Sequence, residues 1–285
     1  MKKIILLNIL LVIFSFKILG QKTEGLDLTT DFQKINRAIS FGVGHANVFD
    51  TYLSPQEYKG IDFRVSRESF RMTNRIKNVS IQNMIQTNIS YTNNYINNNN
   101  SLSGLVNWNY GLHYQFLISP TFKILAGGLI DANLGFIYNM RNGNNPATAK
   151  AYLNIAGSGI AIWKTRIKKY PLILRYQLNI ALAGMMFSPH YGQSYYEIFS
   201  VGNDKNTFSF TSIHNQPAFR QFITVDFPIR QVTLRCSYVC DIQQSKINHI
   251  KSHMYGHSFM IGFVHNLYKQ RNRPVEAKNN HLNAY

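Results

Sequence analysis

Residues 102–118 alternate apolar and polar side chains with a strict period of two. The apolar positions are Leu102, Val106, Trp108, Tyr110, Leu112, Tyr114, Phe116 and Ile118, joined by Gly104, and the polar positions include Ser103, Asn107, Asn109, His113 and Gln115. Because successive side chains of a β-strand point to opposite faces, this pattern predicts one strand with an apolar, aromatic-rich face. A strand of about 17 residues is long for a soluble sheet, so the medium that contacts this face decides the fold.

The same rhythm returns along the rest of the chain. Further segments begin near Arg37, Ile61, Val79, Phe122, Ala151, Leu172, Phe219, Val232 and Phe259, which makes ten strand candidates in all. Only 15% of the residues are charged, whereas the chain has 17 tyrosines and 19 phenylalanines. Long, aromatic-rich alternating strands in an even number are typical of membrane barrels, while a secreted sandwich or jelly roll is the rival all-β fold.

The connections between these segments alternate in length. Residues 73–77, 119–120, 168–171 and 228–231 form short gaps, and residues 49–59, 93–100, 140–150, 188–217 and 242–255 form long ones. Short turns on one side and long loops on the other favour an up-and-down antiparallel transmembrane β-barrel of about ten strands. Residues 194–214 contain a further potential hairpin with its turn at Gly202, so twelve strands are the alternative.

The N-terminus has the pattern of a secretory signal. Lys2 and Lys3 precede a mostly apolar stretch over residues 4–16, and Gly20 offers a small residue for cleavage. An N-terminal membrane anchor is the alternative, although the apolar stretch is short for a spanning helix. The predicted organisation is a signal peptide (1–20), an N-terminal periplasmic segment (21–36), a β-barrel (37–268) and a C-terminal periplasmic tail (269–285), located in a bacterial outer membrane.

Three phrases in the long gaps resemble a known family. They are DTYLSPQEYKG from Asp50, YNMRNGNNPATA from Tyr138 and SPHYGQSYYEIF from Ser188. This set is similar to an uncharacterised Bacteroidetes family of outer-membrane β-barrel proteins, a domain of unknown function. The resemblance implies an outer-membrane barrel, and it implies no established activity and no catalytic residue.

One candidate catalytic group lies in the longest gap. His190, Ser194 and Glu197 are residue types that an outer-membrane lipid or glycan hydrolase places near its rim, where a nucleophile needs a base and an orienting group. The alternative is a self-packed loop held by its aromatic residues, and we favour it, so an enzyme is the less favoured class.

A second set of candidates consists of polar and aromatic residues predicted for an extracellular mouth. They are Asp50, Ser54, Arg141, Asn144, Asn145, Tyr191 and Tyr195. Such groups suit an extracellular glycan or a small polar ligand, whereas the alternative is that Asx-turns occupy the asparagine side chains.

The third set consists of charged residues at the polar positions of the alternating segments. Because charges avoid the lipid face at mid-depth, they are predicted to point into the lumen. They are Arg64, Glu68, Lys123, Asp131, Arg175, Arg220, Asp226 and Arg235. Ten strands enclose a narrow interior, so we expect a salt-bridged, filled lumen, with a small-solute channel as the alternative.

The histidine spacing, the cysteine spacing and the net charge exclude several kinds of site. His249, His253 and His257 have helical metal-ligand spacing, but on a strand they lie about 13 Å apart, and Cys236 and Cys240 are likewise too far apart to bridge. No metal or cofactor is therefore predicted. The formal net charge of +17 is scattered along the chain, and in this compartment it favours outer-membrane lipid and lipopolysaccharide as partners over nucleic acid.

Overall fold

Eleven antiparallel strands and one short helix are found among the residues that the structure describes. The computed structural model describes residues 32–73, 76–143, 145–168, 170–203, 205–229 and 232–270, with side chains described from residue 35 to residue 267. The elements are β1 (Phe32–Asp50), β2 (Ser54–Met72), β3 (Val79–Asn94), β4 (Asn100–Leu117), β5 (Phe122–Asn139), β6 (Ala147–Ile167), β7 (Tyr170–Phe187), α1 (Tyr195–Phe199), β8 (Phe208–Ser212), β9 (Ala218–Ile229), β10 (Val232–Ile247) and β11 (Ile250–Gln270). Within these ranges no helix is both long enough and apolar enough to cross a bilayer.

The sheet closes on itself as a ten-stranded barrel. Each long strand pairs with the next along the chain, and β1 pairs with β11 to complete the ring. β8 and β9 pair with successive parts of β7, at Ala183–Phe187 and at Ile173–Ile180, so together they occupy one strand position. The prediction of ten strands is confirmed. The twelve-strand alternative is wrong, because the segment expected to form a hairpin contains α1 and β8 instead.

The outer face of the barrel is apolar and exposed, whereas the face toward the lumen is polar and buried. On β4, Trp108 and Leu112 are 42% and 48% exposed on the outside, whereas Asn109 and His113 are 2% and 0% exposed on the inside. A soluble sandwich buries its apolar face and exposes its polar face, which is the reverse of this arrangement. The outer face therefore has the apolar surface of a transmembrane barrel.

The two ends of the barrel differ from the sequence prediction in one respect. The long gaps predicted at residues 49–59 and 242–255 shrink to turns at 51–53 and 248–249, because the strands continue pairing beyond the apolar belt. Positive φ angles at Asn97, Asn248 and His249 allow such tight turns. Only the connection over residues 188–207 stays long.

Both described chain ends, Phe32 and Gln270, lie at the same end of the barrel as the connection between β2 and β3 and the turn at 118–121. We call this the periplasmic end and the opposite one the external end, following the usual orientation of bacterial barrels. The strands extend a few residues beyond the predicted barrel boundaries of 37 and 268 at each side. The predicted signal peptide, and most of the predicted periplasmic segment and tail, lie outside the described residues.

Candidate functional site in the lumen and mouth

The lumen is filled by a charge-balanced set of side chains. Among the described residues, six buried carboxylates face six buried cations. The carboxylates are Asp50, Asp62, Glu68, Asp131, Asp226 and Asp241, and the cations are Arg64, Lys123, Lys150, Arg175, Arg220 and Arg235. All eight charged residues predicted for the lumen belong to this set. The formal charges of this buried set therefore sum to zero.

Glu68 is the centre of the network nearer the periplasmic end. Its carboxylate accepts hydrogen bonds from Arg175 Nη2 at 2.7 Å, from Arg235 Nη1 at 2.6 Å and from Gln82 Nε2 at 2.7 Å. Arg235 also forms a two-pronged contact with Asp226, at 2.7 and 2.8 Å. This geometry joins β2, β7, β9 and β10 across the barrel and is the strong form of a buried ion pair.

A second group of charges lies at mid-barrel. Arg220 contacts Asp241 at 3.0 Å and Asp131 at 3.3 Å, and Arg64 contacts Asp241 at 3.2 Å. Asp62 accepts hydrogen bonds from hydroxyl and amide groups as well as from Arg64. Each carboxylate thus has several donors, which is the condition for keeping charges in a narrow interior.

Apolar side chains close the lumen on the periplasmic side of these charges. Phe70, Leu125, Ile160 and Ile162 pack together and are at most 1% exposed. The Arg175 guanidinium lies over the Phe70 ring, 5.3 Å from its centre. A cavity of about 360 Å³ opens below this layer and ends at Ile162, and a pocket of about 20 Å³ beside Arg64 is large enough for about one water. Neither cavity crosses the layer of Phe70 and its neighbours.

The external mouth is tied by a short ion pair. Lys150 Nζ donates to Asp50 Oδ2 at 2.6 Å and to Ser252 Oγ at 2.6 Å, which links β6, β1 and β11. The backbone N–H of Tyr52 donates to Asp50 Oδ1 at 2.9 Å. Asp50, a candidate ligand-binding residue, is therefore occupied by these contacts.

Residues 188–207 form a mouth loop that reaches across the opening; Asp204 lies outside the described residues. The Tyr52 hydroxyl donates to the Gln193 carbonyl at 2.8 Å, and the Ala149 backbone N–H donates to the Tyr195 hydroxyl at 2.6 Å. Asn248 donates to the carbonyl groups of Ser188 and Asn206. The loop is thus fastened to three different parts of the rim.

Aromatic packing reinforces the mouth loop. Tyr195 stacks on Phe199 with ring centres 6.1 Å apart and meets the edge of Tyr52 at 6.0 Å. Burial, with smaller contributions from Tyr195, Asp50 and Glu197, raises the pKa of Tyr52 to about 12, and burial also raises the pKa of Tyr195. The Tyr52 hydroxyl therefore keeps its proton, and its hydrogen bond to Gln193, across the ordinary pH range.

The candidate catalytic residues occupy separate structural roles. Ser194 is the N-cap of α1: it accepts from the Glu197 N–H at 3.2 Å and donates to Glu197 Oε1 at 3.1 Å. The His190 ring lies 3.3 Å from the Lys205 carbonyl, and no hydrogen bond between described residues joins it to Ser194. Ser194 therefore caps the N-terminus of α1 and bonds to the Glu197 carboxylate, and this arrangement does not pair a nucleophile with a base.

The other mouth candidates are distributed over several turns. Ser54 accepts from the Gln56 N–H and the Tyr58 hydroxyl, while Asn139 and Asn142 accept from the backbone N–H groups of Arg141 and Asn145. These bonds are Asx- and Ser-type turn contacts. Tyr191 is 67% exposed, and Asn144 lies outside the described residues.

The histidine and cysteine candidates stay apart. His253 stacks on Tyr255 with ring centres 4.2 Å apart, and His257 Nδ1 lies 2.8 Å from the Tyr238 hydroxyl. Cys236 and Cys240 are free thiols. No group of three described His, Cys, Asp or Glu residues is placed to hold a metal ion.

Sequence reasoning missed several members of the lumen network. Asp62 and Asp241 lie at polar, inward-facing positions of their strands, so the alternation in the sequence is sufficient to identify them as lumen residues. Lys150 falls in a predicted loop, because its strand begins in a segment of small residues that lacks alternation. Gln82 and Gln177, which bond to each other at 3.0 Å across the lumen, carry no charge that singles them out.

A family model described as a protein of unknown function (DUF3316) matches residues 4–274. The chain belongs to this family. None of the curated proteins compared with this DUF3316 member matches it. Among solved structures, Neisserial surface protein A is 11% identical, with 79% of this chain and 95% of that chain covered at a TM-score of 0.32. The transport unit of the autotransporter AIDA-I from Escherichia coli is 6% identical, with 89% and 96% covered at a TM-score of 0.41.

Proposed function

We propose that this protein is a non-conducting outer-membrane barrel that presents a fixed surface to the outside of the cell. The observation that carries this proposal is the charge-balanced lumen, in which ion pairs span the barrel and an apolar layer closes it. A transport path needs continuous water, and neither cavity supplies it. A hydrolase is less well supported, since Ser194 and His190 serve other contacts.

The proposal includes export to a bacterial outer membrane after removal of a signal peptide at Gly20. The charge and hydropathy pattern of residues 1–20 and the apolar outer surface of the barrel support it. The phrases that resemble Bacteroidetes outer-membrane proteins favour that group of bacteria as the source.

The wild-type barrel is expected to give no stepwise current in planar lipid bilayers at any applied voltage. The reason is that both the ion-pair layers and the Phe70 layer block the lumen. Single-channel recording of the purified, folded protein checks this, with a porin inserted in the same bilayer as the positive control. Reproducible, voltage-independent steps from the folded protein would contradict the proposal.

Two lysines at the external end support a lipopolysaccharide partner. Lys246 on β10 is directly opposite Lys251 on β11, and both side chains are exposed. Like charges in this position repel each other, and no described carboxylate forms an ion pair with either, so a bound phosphate stabilises the pair. The exposed rings of Tyr191, Tyr196 and Phe199 on the mouth loop suit sugar faces of an extracellular glycan.

Changing both Lys246 and Lys251 to Gln is expected to weaken lipopolysaccharide binding about tenfold, which corresponds to about 1.4 kcal/mol. Surface plasmon resonance of the detergent-solubilised protein over immobilised lipopolysaccharide measures this. The matched control, Lys59→Gln with Arg141→Gln, removes the same charge from the same end of the barrel. An equal loss in both variants would mean that net charge, rather than the opposed pair, attracts the lipid.

A further inference from the structure

Three arginines on the outer surface form a cluster near the periplasmic end. Arg37 on β1 is directly opposite Ser69 on β2, and Arg67 and Arg71 lie two residues to either side of Ser69 on the same face. Diagonal neighbours of this kind are about 7–8 Å apart, within reach of long side chains. Arg37 and Arg67 are exposed and Arg71 is half-buried. We propose that this arginine cluster binds the phosphate of an anionic phospholipid in the periplasmic leaflet, an inference that rests on the proposed membrane orientation.

The depth of the cluster fits the headgroup level of that leaflet. On β1 the outward residues after Arg37 are Ile39, Phe41 and Val43, which are 39%, 53% and 60% exposed, and the polar residue His45 follows. Arg37 and His45 are about eight residues apart, which for a strand tilted by about 40° is roughly 20 Å along the bilayer normal. The arginines thus lie at the lower edge of the apolar band, where cationic side chains are tolerated at little cost.

The cluster has no counter-charge in the described protein. Apart from the lumen set, the described residues contain only two carboxylates, Glu57 and Glu197, and both lie at the external end. None of the three arginines forms an ion pair with a described carboxylate. Three guanidinium groups at the edge of a low-dielectric layer repel each other unless an anion lies between them. At this depth in a bilayer the abundant anion is a lipid phosphate.

The surrounding residues suit a phospholipid better than a simple ion. Asn83, opposite Ser69 on β3, accepts a hydrogen bond from Trp108 Nε1 at 2.9 Å, and its amide is exposed beside the cluster. Guanidinium groups contact phosphate with two parallel bonds, and Ser69 adds a hydroxyl group. Phe63 and Ile85, which are 49% and 44% exposed, line the surface above and offer contacts to acyl chains.

The cluster of outward-facing arginines is confined to one side of the barrel. The lower ends of β4, β6 and β7 expose Phe116, Trp163 and Tyr170 instead, as the aromatic girdle of a membrane barrel does. On its outer face the periplasmic interface is therefore aromatic on one side and arginine-rich on the other, which is expected of a defined lipid site rather than of a uniform charged rim. The cations Lys164 and Arg166 on the aromatic side lie at inward positions of β6, and Lys164 lines the cavity below Ile162.

The experiment compares lipid retention by native mass spectrometry after reconstitution into vesicles of phosphatidylethanolamine, phosphatidylglycerol and cardiolipin. The wild-type barrel is expected to retain phosphatidylglycerol or cardiolipin. The variant with Arg37, Arg67 and Arg71 all changed to Gln is expected to retain at least tenfold less. The control changes Lys164, Arg166 and Lys168 to Gln, which removes the same charge from the same end on the opposite side, and is expected to behave as wild type.

Several results would overturn the site. Equal loss of lipid in both triple variants would show diffuse attraction by the rim, and displacement of the lipid by inorganic phosphate would show a simple anion site. In a second set of vesicles that also contains lipopolysaccharide, its preferred retention over phospholipid would contradict the assigned leaflet. If the triple variant fails to fold, Arg67→Gln alone gives the same comparison with a smaller expected loss of lipid.

The failure of this site and the failure of the proposed function are distinguishable. Failure of the wild type to insert, seen as absence of the heat-modifiable band on gels, contradicts the proposed function. Insertion without retained anionic lipid contradicts this site alone.

Discussion

Replacement of Glu68 by alanine is expected to lower the free energy of unfolding by about 3–5 kcal/mol, because two buried guanidinium groups lose their shared carboxylate. Glu68 accepts from Arg175 at 2.7 Å and from Arg235 at 2.6 Å and is itself 6% exposed. Equilibrium urea unfolding in lipid vesicles, followed by the fluorescence of Trp108 and Trp163, measures the loss. The gel band of the folded form is expected to disappear at a lower temperature.

Glu57 supplies the control on the same strand. It forms an exposed ion pair with Lys59 at 3.3 Å, and exposed pairs of this kind contribute at most about 1 kcal/mol. Glu57→Ala is therefore expected to leave the unfolding curve almost unchanged. Similar losses from the two substitutions would show that the lumen network does not hold the barrel together.

The second large effect is expected at Phe70. Phe70→Ala removes the largest side chain of the apolar layer formed with Leu125, Ile160 and Ile162, and such truncations cost about 3–5 kcal/mol. The substitution also removes the ring beneath the Arg175 guanidinium. The same urea titration measures the change.

Two comparisons separate the loss of packing from other effects of changing Phe70. Phe70→Leu keeps most of the volume and is expected to cost less than about 1.5 kcal/mol. Tyr95→Ala, at a fully exposed ring in the β3–β4 turn, is expected to stay within about 0.5 kcal/mol of wild type. A small loss in Phe70→Ala would mean that the lumen is looser than the buried residues indicate.

The fold is readable from the sequence because the bilayer imposes one rule on every strand. Apolar residues such as Trp108 face outward and polar residues such as Asn109 face inward, so the period of two marks each strand. This alternation holds only within the apolar band of the outer surface. Beyond it both faces of a strand can be polar, as at Asn47 and Lys59, which pair in β1 and β2. The alternation disappears there, so the sequence predicts loops at residues where the strands continue.

The site is only partly readable for a different reason. The alternation predicts that Glu68 and Arg235 point into the lumen. Which charged side chains form ion pairs, however, depends on the strand register and on which strands face each other across the lumen. Partners such as Arg220 and Asp131 are 89 residues apart. The local signal that was available concerned α1: Ser194 and Glu197 have capping-box spacing, which favours a helix start over the proposed hairpin.

The lumen charges are divided unevenly between the two halves of the chain. β1 to β5 contribute four carboxylates and two cations, whereas β6 to β11 contribute four cations and two carboxylates. Each half-barrel alone would therefore carry a net charge on the face it has to bury, of opposite sign in the two halves. Only when β1 meets β11 is that charge cancelled. Strand closure and desolvation of the interior are consequently one cooperative step, and the two halves of this chain are electrostatic complements of each other.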